Sequence, residues 1–201
     1  MTKPIKIVTI CGSVRPGNYT SMALALVLSE FAKETDLEVE ALDLIAYDLP
    51  FPGTAPRDTS SERFRESVNV ATGVVLATPE YHGSFSSVIK LAIENLGFPS
   101  VLAGKPVSLL GVAAGQIGAI KSLEHLRSVC SHVGAIVLPS LVSVAHVQQL
   151  FDKEGRCLDS SVEKRIRSVA TSLLDYIHGA ICPRMVLETM VRSRGEGEPV
   201  L

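Results

Sequence analysis

The sequence predicts a doubly wound α/β fold, a three-layer sandwich in which one open parallel sheet of five strands carries helices on both faces. Three observations lead there. Short apolar, largely β-branched runs recur five times along the 201 residues, each bounded by Gly, Pro or polar clusters. Segments with apolar residues at helical spacing stand between them. The connections are those of crossovers, which parallel strands require and which turn right-handed.

Element by element, Ile5 to Cys11 is a β-branched run suited to a strand buried on both faces. Tyr19 to Thr35 reads as a helix with Met22, Ala25, Leu26 and Ser29 on one face, and Glu38 to Leu44 alternates like a strand nearer an edge. Ile45 to Ser60 holds three prolines and a glycine and reads as a long loop. Thr59-x-x-Glu62 is a capping box opening a helix to about Ala71. Gly73 to Pro79 is a third strand stopped by its proline, Ser84 to Leu96 a helix, and Pro106 to Val112 a fourth strand. Ala119 to Val133 is a helix that ends at Gly134, and Ala135 to Pro139 is the fifth strand. Ser160-x-x-Glu163 caps a last helix with Val162, Ile166, Val169, Leu173 and Ile177 on its inner face. Residues 1–179 form the domain. Ala180 to Leu201 is a tail whose apolar first half (Ile181, Met185, Val186, Leu187, Met190) packs on the body or on a partner subunit.

Composition narrows the function. A net charge of −2 and a pI near 6.2 argue against a protein that clamps nucleic acid. No apolar run approaches a membrane span, and the N-terminus lacks a secretory pattern. Cys11, Cys130, Cys157 and Cys182 are scattered, which suits reduced thiols in the cytoplasm rather than a disulfide frame or a zinc site.

In open parallel sheets ligands bind beyond the carboxyl ends of the strands, and three loops leave such ends here. The first, "CGSVRPGNYTS", has neither Gly-x-Gly-x-x-Gly nor Gly-Lys-Ser/Thr. It offers Ser13, Arg15, Asn18, Tyr19, Thr20 and Ser21 around a helix start, an anion site with one positive charge. That suits a terminal phosphate monoester such as FMN carries better than a pyrophosphate. The plainer alternative is a serine-rich capped turn. The second loop, Pro79, Glu80, Tyr81, His82, Gly83 and Ser84, makes a tight bend along which a flat ring fits; the alternative is a solvated turn. The third, residues 111–119, is built of very small side chains, with Ala113, Gly115 and Gln116 as candidate contacts, and small residues let a ligand approach the backbone. Tight strand–helix packing accounts for it equally well.

These residues together resemble the NADPH-dependent FMN reductases of the flavodoxin-like superfamily, which includes flavin, quinone, azo-dye and chromate reductases. The match lies in Gly12-Ser13-Val14-Arg15 with Asn18 to Ser21, in Pro79-Glu80-Tyr81-His82-Gly83-Ser84, in Lys90, Ala92 and Ile93, and in Gly104-Lys105-Pro106-Val107, and it spans roughly residues 5 to 178. The resemblance implies strand order 2-1-3-4-5 and non-covalent FMN, its phosphate at 12 to 21 and its ring against 79 to 84 and 111 to 116. It also implies NADPH or NADH as hydride donor, a small-molecule electron acceptor, and a homodimer or homotetramer. His82 stands where the family usually has Asn, Ser86-Ser87 replaces a common Pro-Gly, and the third loop lacks the usual hydroxyls. The cofactor carries the chemistry, so no catalytic acid or base is demanded of the protein. The competing reading is a flavodoxin-type electron carrier. Such carriers resemble one another in a phosphate loop without arginine, aromatics flanking the flavin and a strongly acidic surface; Arg15, the absence of Trp and the charge of −2 point away from it.

Overall fold

The computed structural model describes residues 4–195. The parallel core is β1 (Ile5–Cys11), β2 (Leu37–Leu42), β3 (Gly73–Tyr81) and β5 (Pro106–Val112), joined through α1 (Tyr19–Phe31), α2 (Ser60–Asn69) and α3 (Ser87–Glu94). A two-residue strand, β4 (Ser84–Phe85), folds back on the end of β3. After α4 (Ile120–His132) come β6 (Ile136–Val137), β7 (Val142–Val144), the short α5 (Val147–Leu150) and the long α6 (Ser160–Tyr176). The sheet order is β2-β1-β3-β5-β6, which is 2-1-3-4-5 once the hairpin strand β4 is set aside.

Alternation along the strands explains the three layers. Ile7, Val75, Ala77, Leu110 and Val112 face α1 and α6, packing on Val27, Phe31, Ile166 and Leu173. Their neighbours Val8, Ile10, Val74, Leu76 and Leu109 face the other way, onto Phe64 and Val68 of α2, Ile89 and Ile93 of α3, and Leu123 and Leu126 of α4. Both faces of each central strand are therefore apolar, the signature of a covered parallel sheet.

Several local expectations are corrected. In α1 the buried face is Ala23, Leu24, Val27 and Phe31, while Ala25 and Ser29 are exposed, and the helix stops at Phe31. The cap of α6 is Asp159, whose carboxylate accepts from Ser161 N–H and Val162 N–H; a carboxylate one residue upstream outcompetes the Ser160 hydroxyl. Thr59 caps nothing at α2, where Asp58 takes Ser60 N–H instead. The fifth strand is broken into β6, paired with Pro106 and Val107, and β7, paired with Leu110 to Val112. Pro139, which has no N–H to give the ladder, lies in the gap.

At its far end α6 passes through a π-helical turn (Ile177–Ile181) into α7 (Cys182–Gly195). Of the expected tail's apolar residues, Ile181 is partly buried against the core, whereas Met185, Val186, Leu187 and Met190 lie on α7 and are exposed. Residues 196–201 of that tail lie outside the described residues.

Candidate functional site

The first loop begins where Gly12 N–H donates to Ala77 O across the β1–β3 pair, 2.7 Å away. A Cβ on Gly12 would stand 2.8 Å from that oxygen and 2.3 Å from Ile89 Cγ1, so only glycine fits. Asn18 then organises the turn from its far end. Its amide donates to Arg15 O (2.7 Å) and Ser13 O (3.4 Å), and its Oδ1 caps α1 by accepting Ser21 N–H at 2.8 Å. The Ser21 hydroxyl donates to Asn18 O. Asn18 and Ser21 are thus spent on shaping the loop.

Ser13 is not. Its Oγ is buried and has no partner, a condition that costs about 1–3 kcal/mol when left unrelieved. Thr9 Oγ1 shares this condition, and both residues line one cavity of about 340 Å³ with Cys11, Arg15, Asn18, Ser21 and Asp43. Two candidates from the same stretch are not gathered there. Tyr19 packs its ring against Phe151, centroids 6.4 Å apart, and Thr20 is buried in α1.

The second loop is a β-hairpin. Main-sheet pairing of β3 ends at Pro79 opposite Val112, the last rung at which a missing N–H is tolerated. Beyond it Glu80 pairs with Phe85 and Tyr81 with Ser84. Pro79 therefore ends the parallel ladder but not the strand, and Ser84 belongs to the hairpin, not to α3, whose cap is Ser86. His82 and Gly83 form the two-residue turn with φ of 52° and 75°. Positive φ at both positions is what a type I′ hairpin demands, and Asn and His are among the side chains that tolerate it. The backbone thus accounts for both the residue at position 82 and the Asn that the family resemblance places there. Thr78 anchors the hairpin base, accepting Ser86 N–H on its hydroxyl.

The hairpin leans on α4. Ser84 Oγ lies 3.2 Å from His125 Nδ1, and Glu80 Oε2 accepts Ser122 N–H at 3.2 Å. The third loop, 113–118, has one backbone bond of its own, Gly118 N–H to Gly115 O at 3.1 Å, and is otherwise shaped from outside itself. Ala113 N–H donates to Val144 O, Val147 N–H to Ala113 O and His146 N–H to Gly115 O. Ser143 Oγ receives Ala119 N–H at 2.9 Å. Between hairpin and third loop lies a cavity of about 470 Å³ lined by Glu80, His82, Ala113, Gly115 and Gln116, together with Ala114, Ile117 and Gly118.

The two ends of the site meet at one contact. The Arg15 guanidinium lies 5.3 Å from the Tyr81 ring centroid, a cation–π approach that joins the first loop to the hairpin. Burial pushes the Cys130 thiol up to about 12 and also raises that of Cys11, so neither of these two is a ready thiolate. Among the described residues no group of His, Cys, Asp and Glu could hold a metal ion, and no helix is long and apolar enough to cross a membrane.

Sequence reasoning missed Thr9 and Cys11, which share a strand face with Ile7, and Ser143, which lies on a strand piece that periodicity does not reveal. It also missed Lys121, whose Cδ would stand 3.7 Å from a Cβ placed on Gly83.

An open parallel sheet with ligand loops clustered at one end defines a flavodoxin-like α/β protein. The family identity follows from comparison. The sequence model of the NADPH-dependent FMN reductases matches residues 5–149. An NAD(P)H-dependent FMN reductase of Pseudomonas aeruginosa is 32% identical over 183 residues, covering 86% of this chain and 95% of that protein. An FMN-dependent NADPH-azoreductase of Staphylococcus aureus is 28% identical over 185 residues, 88% of this chain and 97% of the relative. Among solved structures, a flavoenzyme NAD(P)H:(acceptor) oxidoreductase of Paracoccus denitrificans superposes with a TM-score of 0.70 at 24% identity, covering 87% of this chain and 98% of its own, which supports the fold. The chain belongs to the NADPH-dependent FMN reductase family and is an oxidoreductase whose cofactors are FMN and a nicotinamide nucleotide.

Proposed function

We propose that FMN is held with its phosphate at the first loop and its ring between hairpin 80–85 and loop 113–118, and that the chain passes hydride from NADPH or NADH to a small acceptor. The observation that carries this reading is Ser13. Its hydroxyl is buried without a partner and lines one cavity with Arg15 and with Asn18 and Ser21 from the start of α1, where a phosphate would supply the missing acceptor. Gly115 fits the ring end, since a Cβ there would meet nothing within 4 Å.

Bound FMN supplies two-electron transfer from the nicotinamide to the acceptor. The chain's residues bind and orient. Ser13 and Arg15 hold the phosphate, Asn18 and Ser21 keep the loop in shape, and Tyr19 and Thr20 seat α1. Pro79 to Ser84 and Ala113 to Gln116 would wall the ring and offer it backbone donors and acceptors. The acceptor is drawn from free flavins, quinones, azo compounds, chromate and ferric complexes. Residues 1–179 are the reductase body, and the exposed apolar residues of α7 with the fully exposed Phe98 favour a homodimer or homotetramer. Cys11, Cys130, Cys157 and Cys182 are all free thiols, in keeping with a cytoplasmic site of action.

Titration of the apoprotein with FMN and riboflavin tests the placement. FMN binds the tighter of the two, and equal affinities would remove the phosphate from the first loop. A steady-state screen of acceptors with each nucleotide names the substrate. Light scattering at micromolar concentration that showed only a monomer would reject the assembly.

A further inference from the structure

α4 starts without a cap of its own. Its N-cap residue is Ala119, which offers no side-chain oxygen, and its first turn holds no acidic residue. The N–H groups of a helix's first turn have no intrahelical acceptor and are ordinarily met by such an oxygen or carboxylate. Here Ser122 N–H, the third of that turn, donates to Glu80 Oε2 at 3.2 Å. Glu80 comes from another element 42 residues away, the last strand residues before the His82-Gly83 turn. A carboxylate at a helix N-terminus is also favoured by the helix dipole.

This bond ties one wall of the 470 Å³ cavity to the helix that follows directly on the other. One wall is the hairpin, with Glu80 and His82. The other is loop 113–118, which runs directly into α4 through Ala119. Glu80 lines the cavity itself.

We infer that Glu80 is a positioning residue: as the missing cap of α4, supplied from the hairpin, it clamps the two walls of the ring cavity at a fixed separation. This rests on the flavin reading above and adds to it a residue that acts through α4 rather than by touching the phosphate. The clamp works through a hydrogen-bond acceptor, so an amide oxygen serves in its place, whereas a methyl group does not.

The experiment compares the parent, E80A and E80Q by amide exchange at Ser122 in the apoprotein and by titration with FMN and with riboflavin. In E80A, Ser122 protection falls about tenfold and both flavins weaken alike, also by about tenfold, because the loss is at the ring end that they share. E80Q recovers most of each loss. The visible band of bound flavin, resolved in the parent, broadens in E80A as the ring's surroundings loosen. Flavin affinities in E80A within about twofold of the parent overturn the proposal, as do equal losses in E80A and E80Q, or a loss confined to FMN. The parent titrations separate the two readings: if the parent binds neither flavin, the flavin reading itself falls and the proposal with it, whatever the variants do.

Discussion

Loop 12–18 and loop 113–118 leave the same end of the sheet and are built in opposite ways. The first is wired by its own side chains, with Asn18 alone holding Ser13 O, Arg15 O and Ser21 N–H. The third is almost without side chains, and its course is imposed by backbone bonds from Val144, His146 and Val147 and by the Ser143 hydroxyl. A loop that carries its own bonds presents charge and hydroxyls to a ligand. One shaped by its neighbours presents bare backbone and room. On the function proposed above, the difference is why the first loop suits a compact anion and the third a flat surface.

The largest expected effect comes from breaking the first loop's charge. Arg15→Ala removes a charge-assisted hydrogen bond worth about 1.5–3 kcal/mol, so FMN affinity falls roughly ten- to a hundredfold. Riboflavin, which lacks the phosphate, is bound as before. Parallel losses for both flavins would mean that Arg15 acts through its Tyr81 contact and not on phosphate. Next in size, Asn18→Ala removes the α1 cap together with two loop hydrogen bonds. Stability drops by about 1–2 kcal/mol, the range for loss of a cap, and thermal unfolding of the apoprotein reads it directly.

How much of this was legible in the sequence follows the same division. The start of α1 at Tyr19 could be read because the residues that shape the opening loop, Gly12 and Asn18, lie within it. The strands could be read because strands buried on both faces are continuous apolar runs, whereas their order, 2-1-3-4-5, is what the family resemblance implies and the structure bears out. What escaped was whatever one segment does for another. The caps of α2 and α6 fell to Asp58 and Asp159 because a nearby carboxylate competes with a hydroxyl, a contest that pattern matching on Thr59 or Ser160 does not register. The split of the fifth strand into β6 and β7 leaves each piece too short to show a period, and with it went Ser143. In α1 the apolar residues are so dense that the sequence marks no single inner face: of the expected one, Met22 and Leu26 are partly buried against the core and Ala25 and Ser29 are exposed.

The third loop yields the next prediction. Ser143→Ala removes the acceptor of Ala119 N–H and costs about 1 kcal/mol in stability. Because the loop's shape is imposed from there, FMN and riboflavin both weaken by a few-fold, the converse of the Arg15 pattern. An FMN-only effect would show that the third loop serves the phosphate end and would dissolve the contrast between the two loops.

The smallest effect is expected at His82, between the two regions. Its φ of 52° lies in the left-handed region, which costs an ordinary side chain about 1–2 kcal/mol and Asn less. His82→Asn therefore raises apoprotein stability by roughly 0.5 kcal/mol, seen as a small upward shift in the melting temperature. The same variant asks whether the side chain does anything beyond completing the turn. His82 lines the ring cavity beside Gly115 and Gln116. An imidazole that contacts the nucleotide or the acceptor there makes the Asn variant differ from the parent in KM for one of them. Unchanged KM values for both, with the stability gain intact, would reduce position 82 to its backbone role and leave the ring end to the small residues of the third loop.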